Sequence, residues 1–134
     1  MNTSIIDYTT DAGKKYRIRA LLFMSGYVAV NVAAIFGAFD DARGAGAWAL
    51  ALVVSAPVVG HIWAFLVYIR DSDEFVRGVM AKRFIVAAGI AIALVSTWGF
   101  MEVYAHASHA PGFLIYPLFW SAMGLVSLLI RTSR

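Results

Sequence analysis

The last third of the chain contains an acid–histidine group, whose side chains are of the types that bind transition metals. Glu102, His106 and His109 are spaced so that all three lie on one side of a helix, provided that a helix continues through them. Imidazole and carboxylate ligands suit zinc, copper or nickel, and Asp40 or Asp41 could add a fourth ligand. The alanines, serine, proline and glycine around the histidines are also typical of a loop. A metal or pH-sensing site and an ordinary exposed loop are both open interpretations.

A second group of polar side chains lies near the middle of long apolar segments. Its members are Asn31, Ser55, His61, Ser96, Thr97 and Ser121. Polar groups that face lipid are costly, so we expect these to point inward and to bond one another between helices. His61 also fits a proton or ligand site, because histidine titrates near neutrality. A haem between helices needs a second histidine at similar depth, which one chain lacks, so we predict no cofactor.

A third group lies in the charged connection over residues 70–83, RDSDEFVRGVMAKR. Acidic residues come first and basic residues follow, which suits a helix dipole. We expect an amphipathic helix over about 71–83, with Asp71 and Glu74 as its capping box. Its apolar face can rest on the bilayer surface; alternatively, the segment binds a soluble partner. That second interpretation defines a docking surface of four residues, Asp73, Glu74, Phe75 and Arg77.

The elements that position these groups are apolar helices. The chain of 134 residues is 61% hydrophobic and 14% charged, whereas ordinary soluble domains are roughly 45–50% apolar and 25% charged. Four segments are long enough to cross the hydrocarbon core of a bilayer: residues 20–39, 45–69, 84–104 and 113–130. The predicted fold is an all-α integral membrane four-helix bundle that occupies residues 1–134 as a single membrane domain.

The distribution of Lys and Arg predicts how the bundle is oriented. Ten of the eleven basic residues fall before the first segment, between the second and third, or after the fourth, and only Arg43 falls elsewhere. The positive-inside rule then puts the N-terminus and the C-terminus in the cytoplasm. The formal net charge of +3 is therefore a topology signal, and we expect no direct contact with nucleic acid. We therefore expect a multi-pass membrane protein whose basic side faces the cytoplasm.

Three short motifs in the second half of the chain carry a resemblance to a protein group. They are DEFVR at 73–77, GFME at 99–102 and YPLFW at 116–120. Together they resemble a group of uncharacterised small four-helix inner-membrane proteins of proteobacteria with a D-E-F-x-R motif. Members of that group are often encoded beside a helix-turn-helix transcription regulator. The resemblance implies a multi-pass position in the bacterial inner (cytoplasmic) membrane and a cytoplasmic protein partner of that kind, and it names no catalytic residue.

The sequence favours a function without catalysis. It has no cysteine, and no nucleophile motif, no paired carboxylates in the apolar segments and no phosphate-binding glycine loop is apparent. We expect a regulator or sensor that engages a cytoplasmic partner. The alternative is a small transporter or channel subunit that works as a homo-oligomer through Asn31 and His61.

Overall fold

Four α-helices make up most of the chain. The computed structural model describes residues 8–130, and no strand occurs in that range. The helices are α1 (Asp11–Ile35), α2 (Ala45–Asp71), α3 (Glu74–Ala105) and α4 (Ile115–Leu129), the last preceded by a 3-10 turn at Gly112–Leu114. All four are long and apolar enough to cross a membrane when that turn is counted with α4. The expected all-α, four-helix, multi-pass architecture is confirmed.

The chain divides into two units, each of which is a helical hairpin. In the described range, residues 8–72 form the first hairpin from α1 and α2, and residues 73–130 form the second from α3 and α4. The assignment of residues 1–134 to a single membrane domain stays a prediction.

Helix α1 begins and ends earlier than the hydropathy of the sequence predicts. The Thr10 side chain caps it by accepting a hydrogen bond from the Gly13 backbone N–H at 3.1 Å, so the basic residues at 14–19 are helical. At the other end Gly37 adopts φ 77°. The N–H groups of Gly37 and Ala38 donate to the carbonyls of Ala34 and Ala33, both at 3.0 Å. This Schellman motif ends the helix before residues 36–39, which the sequence had placed in the first span.

The first hairpin is held by close antiparallel contacts between α1 and α2. A Cβ atom added at Gly60 would overlap the Phe23 ring, and one at Gly26 would lie 3.6 Å from Cγ of Pro57. Closer to the N-terminus of α1, the Tyr16 ring packs edge-on against Phe65 with 5.6 Å between ring centroids. Glycines at the crossing let the two backbones approach, as is usual for helices in lipid.

The second hairpin combines aromatic packing with a buried arginine. The rings of Phe84 on α3 and Phe119 on α4 pack edge to face with centroids 5.0 Å apart. Arg83 is only 3% exposed, and its Nε and Nη2 donate to the carbonyl of Ile130, at 3.2 and 2.5 Å. Ile130 follows the last residue of α4, so Arg83 satisfies a carbonyl at a helix C-terminus, where a positive charge is favourable.

Helix α3 joins two segments that the sequence predicts as separate helices. Its N-cap is Asp73, whose side chain accepts from the Val76 N–H at 2.8 Å. The predicted cap at Asp71 is wrong, because Asp71 is the last residue of α2. From Glu74 to Ala105 the helix runs for 32 residues, or about 48 Å. The predicted helix at 71–83 and the span at 84–104 are two parts of one helix.

Candidate functional site

The docking surface surrounds the first turn of α3. All four of its residues are exposed, and Phe75 keeps 43% of its surface accessible although it is a large apolar side chain. Successive residues of a helix are turned by about 100°, so Phe75 and Arg77 are about 200° apart around the axis. A partner that touches both residues has to cover the end of the helix rather than one face. The sequence interpretation treated them as one patch, and the helical geometry corrects that.

At its other end α3 is tied to the loop that follows it. Glu102 accepts hydrogen bonds from His109 Nδ1 at 3.1 Å and from the Ala110 backbone N–H at 2.6 Å. The Trp98 indole N–H donates to the carbonyl of Ser108 at 3.2 Å. We call the contacts of Glu102 with His109 and Ala110 the loop latch. Because both oxygens of one carboxylate are engaged, the latch fixes residues 106–111 against the last turns of α3.

The three-ligand arrangement expected of Glu102, His106 and His109 is not formed. In the part of the chain that the structure describes, no group of three or more His, Asp or Glu side chains is placed to hold a metal ion. The reason is that α3 ends at Ala105, with His106 in the left-handed conformation at φ 54°. The helical spacing that would have aligned the trio is lost. Glu102 and His109 meet as an acid–imidazole pair, without His106.

A groove lies beside the latch, between α3, the loop and α4. Its volume is about 480 Å³. Most of its lining is apolar, with Trp98 and Leu94 from α3 and Leu118 from α4, and Glu102 supplies its carboxylate. A groove of this kind suits an apolar group. The sequence indicates Glu102 but not the groove, because the groove exists only where the loop folds back onto α3.

Within each hairpin, the polar residues placed near the membrane midplane do not bond one another. Four of them hydrogen-bond to carbonyls of their own helix, at 2.8–2.9 Å: Asn31 to Tyr27, Ser55 to Leu52, Thr97 to Ala93 and Ser121 to Pro117. Ser55, Ser96, Thr97 and Ser121 are exposed on the helix surfaces. Within each hairpin the expectation that they bond one another is wrong, because the carbonyl one turn earlier in the same helix is within reach of a short polar side chain.

His61 differs from the other members of this group, because it bonds to another helix. Its Nε2 lies 3.1 Å from the Tyr16 hydroxyl in a buried hydrogen bond, and the two residues are 6% and 5% exposed. Phe65 and Tyr68 enclose the pair, with centroids 5.6 and 5.3 Å from the Tyr16 ring. The sequence does not mark Tyr16 as a site residue, because Tyr16 lies among basic residues ahead of the first apolar segment. A tyrosine in an otherwise charged helical stretch was the available signal.

Tyr16 lies near the N-terminus of α1, between Lys15 and Arg17, so it approaches His61 from the basic end of the hairpin. The buried, enclosed geometry is that of a contact between helices, and it gives the His61 imidazole a fixed partner on α1. A proton or ligand site at His61 stays a prediction.

Comparison with known proteins adds no assignment. No family model, no curated protein and no solved structure matches this chain. The resemblance to the small four-helix inner-membrane proteins stays a prediction, and the function has to be argued from the residues themselves.

Proposed function

We propose that this chain is a non-enzymatic multi-pass protein of the bacterial inner membrane that acts as a regulator or sensor through a cytoplasmic protein partner. The observation that carries the proposal is the continuity of α3. One helix of 32 residues has the docking surface on its first turn and the loop latch on its last turns. With both termini in the cytoplasm, as the basic residues predict, the docking surface lies inside and the latch outside.

The continuity of α3 matters because it gives a physical route between the two ends. The helix has no proline, and proline is the usual cause of a sharp kink. A change at the latch that shifts α3 along or around its axis therefore moves the docking surface with it. Helix shifts of about 1–2 Å are a common means by which membrane and soluble switches transmit a signal.

The chemistry of the docking surface favours a protein partner over nucleic acid. Asp73 and Glu74 are acidic and Arg77 is basic, so the surface has a net negative charge and repels a phosphate backbone. An exposed Phe75 between charges of both signs resembles the aromatic anchors of protein interfaces. The partner that the sequence resemblance implies, a helix-turn-helix regulator, is of the right class.

The transport alternative has less support. It depends on polar groups that can bind a substrate inside the membrane, and Asn31 donates to its own helix at the Tyr27 carbonyl. His61 is enclosed with Tyr16. A homo-oligomer that uses Asn31 and His61 predicts loss of flux in proteoliposomes when either is changed to alanine, whereas our proposal predicts that Phe75 and Arg77 are the sensitive positions.

The test is site-specific photo-crosslinking in living cells. A photoreactive amino acid replaces Phe75, and a matched control replaces Phe36, which is 84% exposed at the end of α1 that the proposal places outside. We expect one soluble protein to crosslink at position 75 and not at 36, and the crosslink to be lost on Arg77→Ala. Equal crosslinking at both positions, or crosslinks only to lipid at position 75, would contradict the proposal.

A further inference from the structure

A basic and aromatic surface lies on one side of the first hairpin, at the end where α1 begins and α2 ends. On α1, Lys15, Arg19 and Leu22 follow one another at spacings of four and three residues, so they lie along one stripe. On α2, Trp63, Leu66 and Arg70 follow at spacings of three and four. These six residues form what we call the basic stripe pair.

A direct contact places the two stripes side by side. The Arg19 guanidinium lies over the Trp63 ring, with 5.2 Å from Cζ to the ring centroid, which is within the range of a cation–π interaction. Because α1 and α2 are antiparallel, the charged ends of both stripes lie at the same end of the hairpin. The surface is therefore basic at that end and apolar further along both helices.

The charge of the surface stays positive after its acidic neighbours are counted. Asp71 accepts a hydrogen bond from Arg70 Nε at 2.9 Å and also lies in the field of Arg19 and Lys15. Lys15, Arg19 and Arg70 against Asp71 leave a net charge of +2. Asp11, one turn before Lys15, is paired with Lys14, with 3.8 Å between Oδ1 and Nζ, so these two charges cancel. The Arg70 side chain keeps 74% of its surface accessible despite this ion pair, so it can bind a further anion.

The apolar part of the same surface is open. Leu22 is 67% exposed, Leu66 48% and Trp63 51%. In a helix that crosses a bilayer, such side chains meet acyl chains, and tryptophan favours the level of the headgroups. From the basic end inward, Lys15 and Arg19 precede Leu22 on α1, and Arg70 precedes Leu66 and Trp63 on α2, so charge gives way to apolar side chains as it does from headgroup to acyl chain in a phospholipid.

We propose that the basic stripe pair binds an anionic phospholipid. Lys15, Arg19 and Arg70 contact the phosphate of the headgroup, and the acyl chains lie along Leu22 and Leu66. Basic pockets between membrane helices bind anionic headgroups in this way. A soluble phosphate satisfies only the cations, so the exposed leucines and Trp63 favour the lipid as the source of that phosphate.

Native mass spectrometry of the full-length protein in detergent tests the proposal. After delipidation, the protein is titrated with phosphatidylglycerol, with phosphatidylcholine, and with glycerol phosphate as the soluble headgroup. We expect phosphatidylglycerol to bind most tightly. Arg19→Gln should weaken that binding about fivefold, the effect of removing one interfacial cation.

Arg17→Gln is the matched control, because Arg17 is exposed and lies about 200° around α1 from Arg19 at nearly the same depth. It removes the same charge and should change the affinity less than twofold. Circular dichroism of each variant checks that the helices remain. Equal losses in the two variants would show attraction by charge alone, and equal binding of phosphatidylcholine or of glycerol phosphate would also overturn the proposal.

Discussion

Changing Tyr16 to phenylalanine removes a single hydroxyl from the first hairpin and tests how α1 and α2 are held together. That hydroxyl lies 3.1 Å from His61 Nε2, and both side chains are nearly inaccessible. The phenyl ring keeps the contacts with Phe65 and Tyr68, so packing is preserved. Hydrogen bonds between membrane helices contribute about 0.6 kcal/mol on average and at most about 1.7 kcal/mol. We expect Tyr16→Phe to lower the free energy of unfolding by about 1 kcal/mol.

A double-mutant cycle separates the hydrogen bond from other effects of the substitution. The variants are Tyr16→Phe, His61→Phe and the combination of both, unfolded in detergent micelles by sodium dodecyl sulfate and followed by circular dichroism. Removing one partner leaves the other polar group buried without that bond, whereas replacing both with apolar rings restores compatibility. The double variant should therefore cost less than the sum of the single variants, with a coupling free energy of about 0.6–1.7 kcal/mol.

The control cycle pairs His61→Phe with Tyr104→Phe. Tyr104 is 79% exposed and belongs to the other hairpin, so its coupling should be zero within about 0.3–0.5 kcal/mol. If the Tyr16–His61 cycle also gives a coupling within that margin, the hydrogen bond contributes nothing to the hairpin, and the placement of His61 against Tyr16 is wrong.

Three further substitutions test other parts of the fold. Gly60→Ala should lower the free energy of unfolding by about 1–3 kcal/mol, because the added methyl group overlaps the Phe23 ring. Gly89→Ala, whose added Cβ has nothing within 4 Å, should raise the free energy of unfolding by up to about 1 kcal/mol. The same detergent titration measures both. Asp73→Ala should lower the free energy of unfolding by about 1 kcal/mol, because it removes the N-cap of α3. An equal loss from Asp71→Ala would refute the assignment of Asp73 as the N-cap. Glu102→Ala should release the loop after α3, seen as faster amide hydrogen exchange at 106–110. Glu102→Gln should cause a smaller change, because its side-chain carbonyl can still accept the bond from the Ala110 N–H; unchanged exchange in Glu102→Ala would disprove the latch.

Hydropathy predicted the helices well and their ends poorly. The span at 45–69 lies within α2 (Ala45–Asp71), and the one at 84–104 lies within α3, because runs of apolar residues determine which part of a helix crosses lipid. The ends of a helix are decided instead by caps. Thr10 starts α1 nine residues before the apolar run, and Gly37 stops it four residues early. A capping residue such as Thr10 or Gly37 hardly changes the mean hydropathy of its segment, so hydropathy does not show where the helix begins or ends.

For the candidate site residues, exposure could be predicted because it is a local property, whereas contacts with a second element could not. The exposure of Phe75 and Arg77 follows from the charge order of one segment, and the structure confirms that both are exposed. The partner of His61 is on another helix, and the spacing of residues in α2 gives no information about which α1 residue faces it. Glu102, His106 and His109 do not form the expected three-ligand arrangement for a related reason. The conformation of His106 is set by where α3 ends, and residue spacing does not show that end.

The two proposals lie in different hairpins, and this makes them independent. The regulatory proposal depends on α3 alone, because the docking surface and the loop latch are its two ends and no other described element is needed to connect them. The lipid proposal depends on the contact of Arg19 with Trp63 between α1 and α2. A variant such as Arg19→Gln therefore leaves α3 intact. In that variant, the photoreactive residue at position 75 should still crosslink to the partner. If Arg19→Gln abolishes crosslinking at position 75 together with lipid binding, the first hairpin also controls partner binding, and the loop latch is not the only part of the chain that does so.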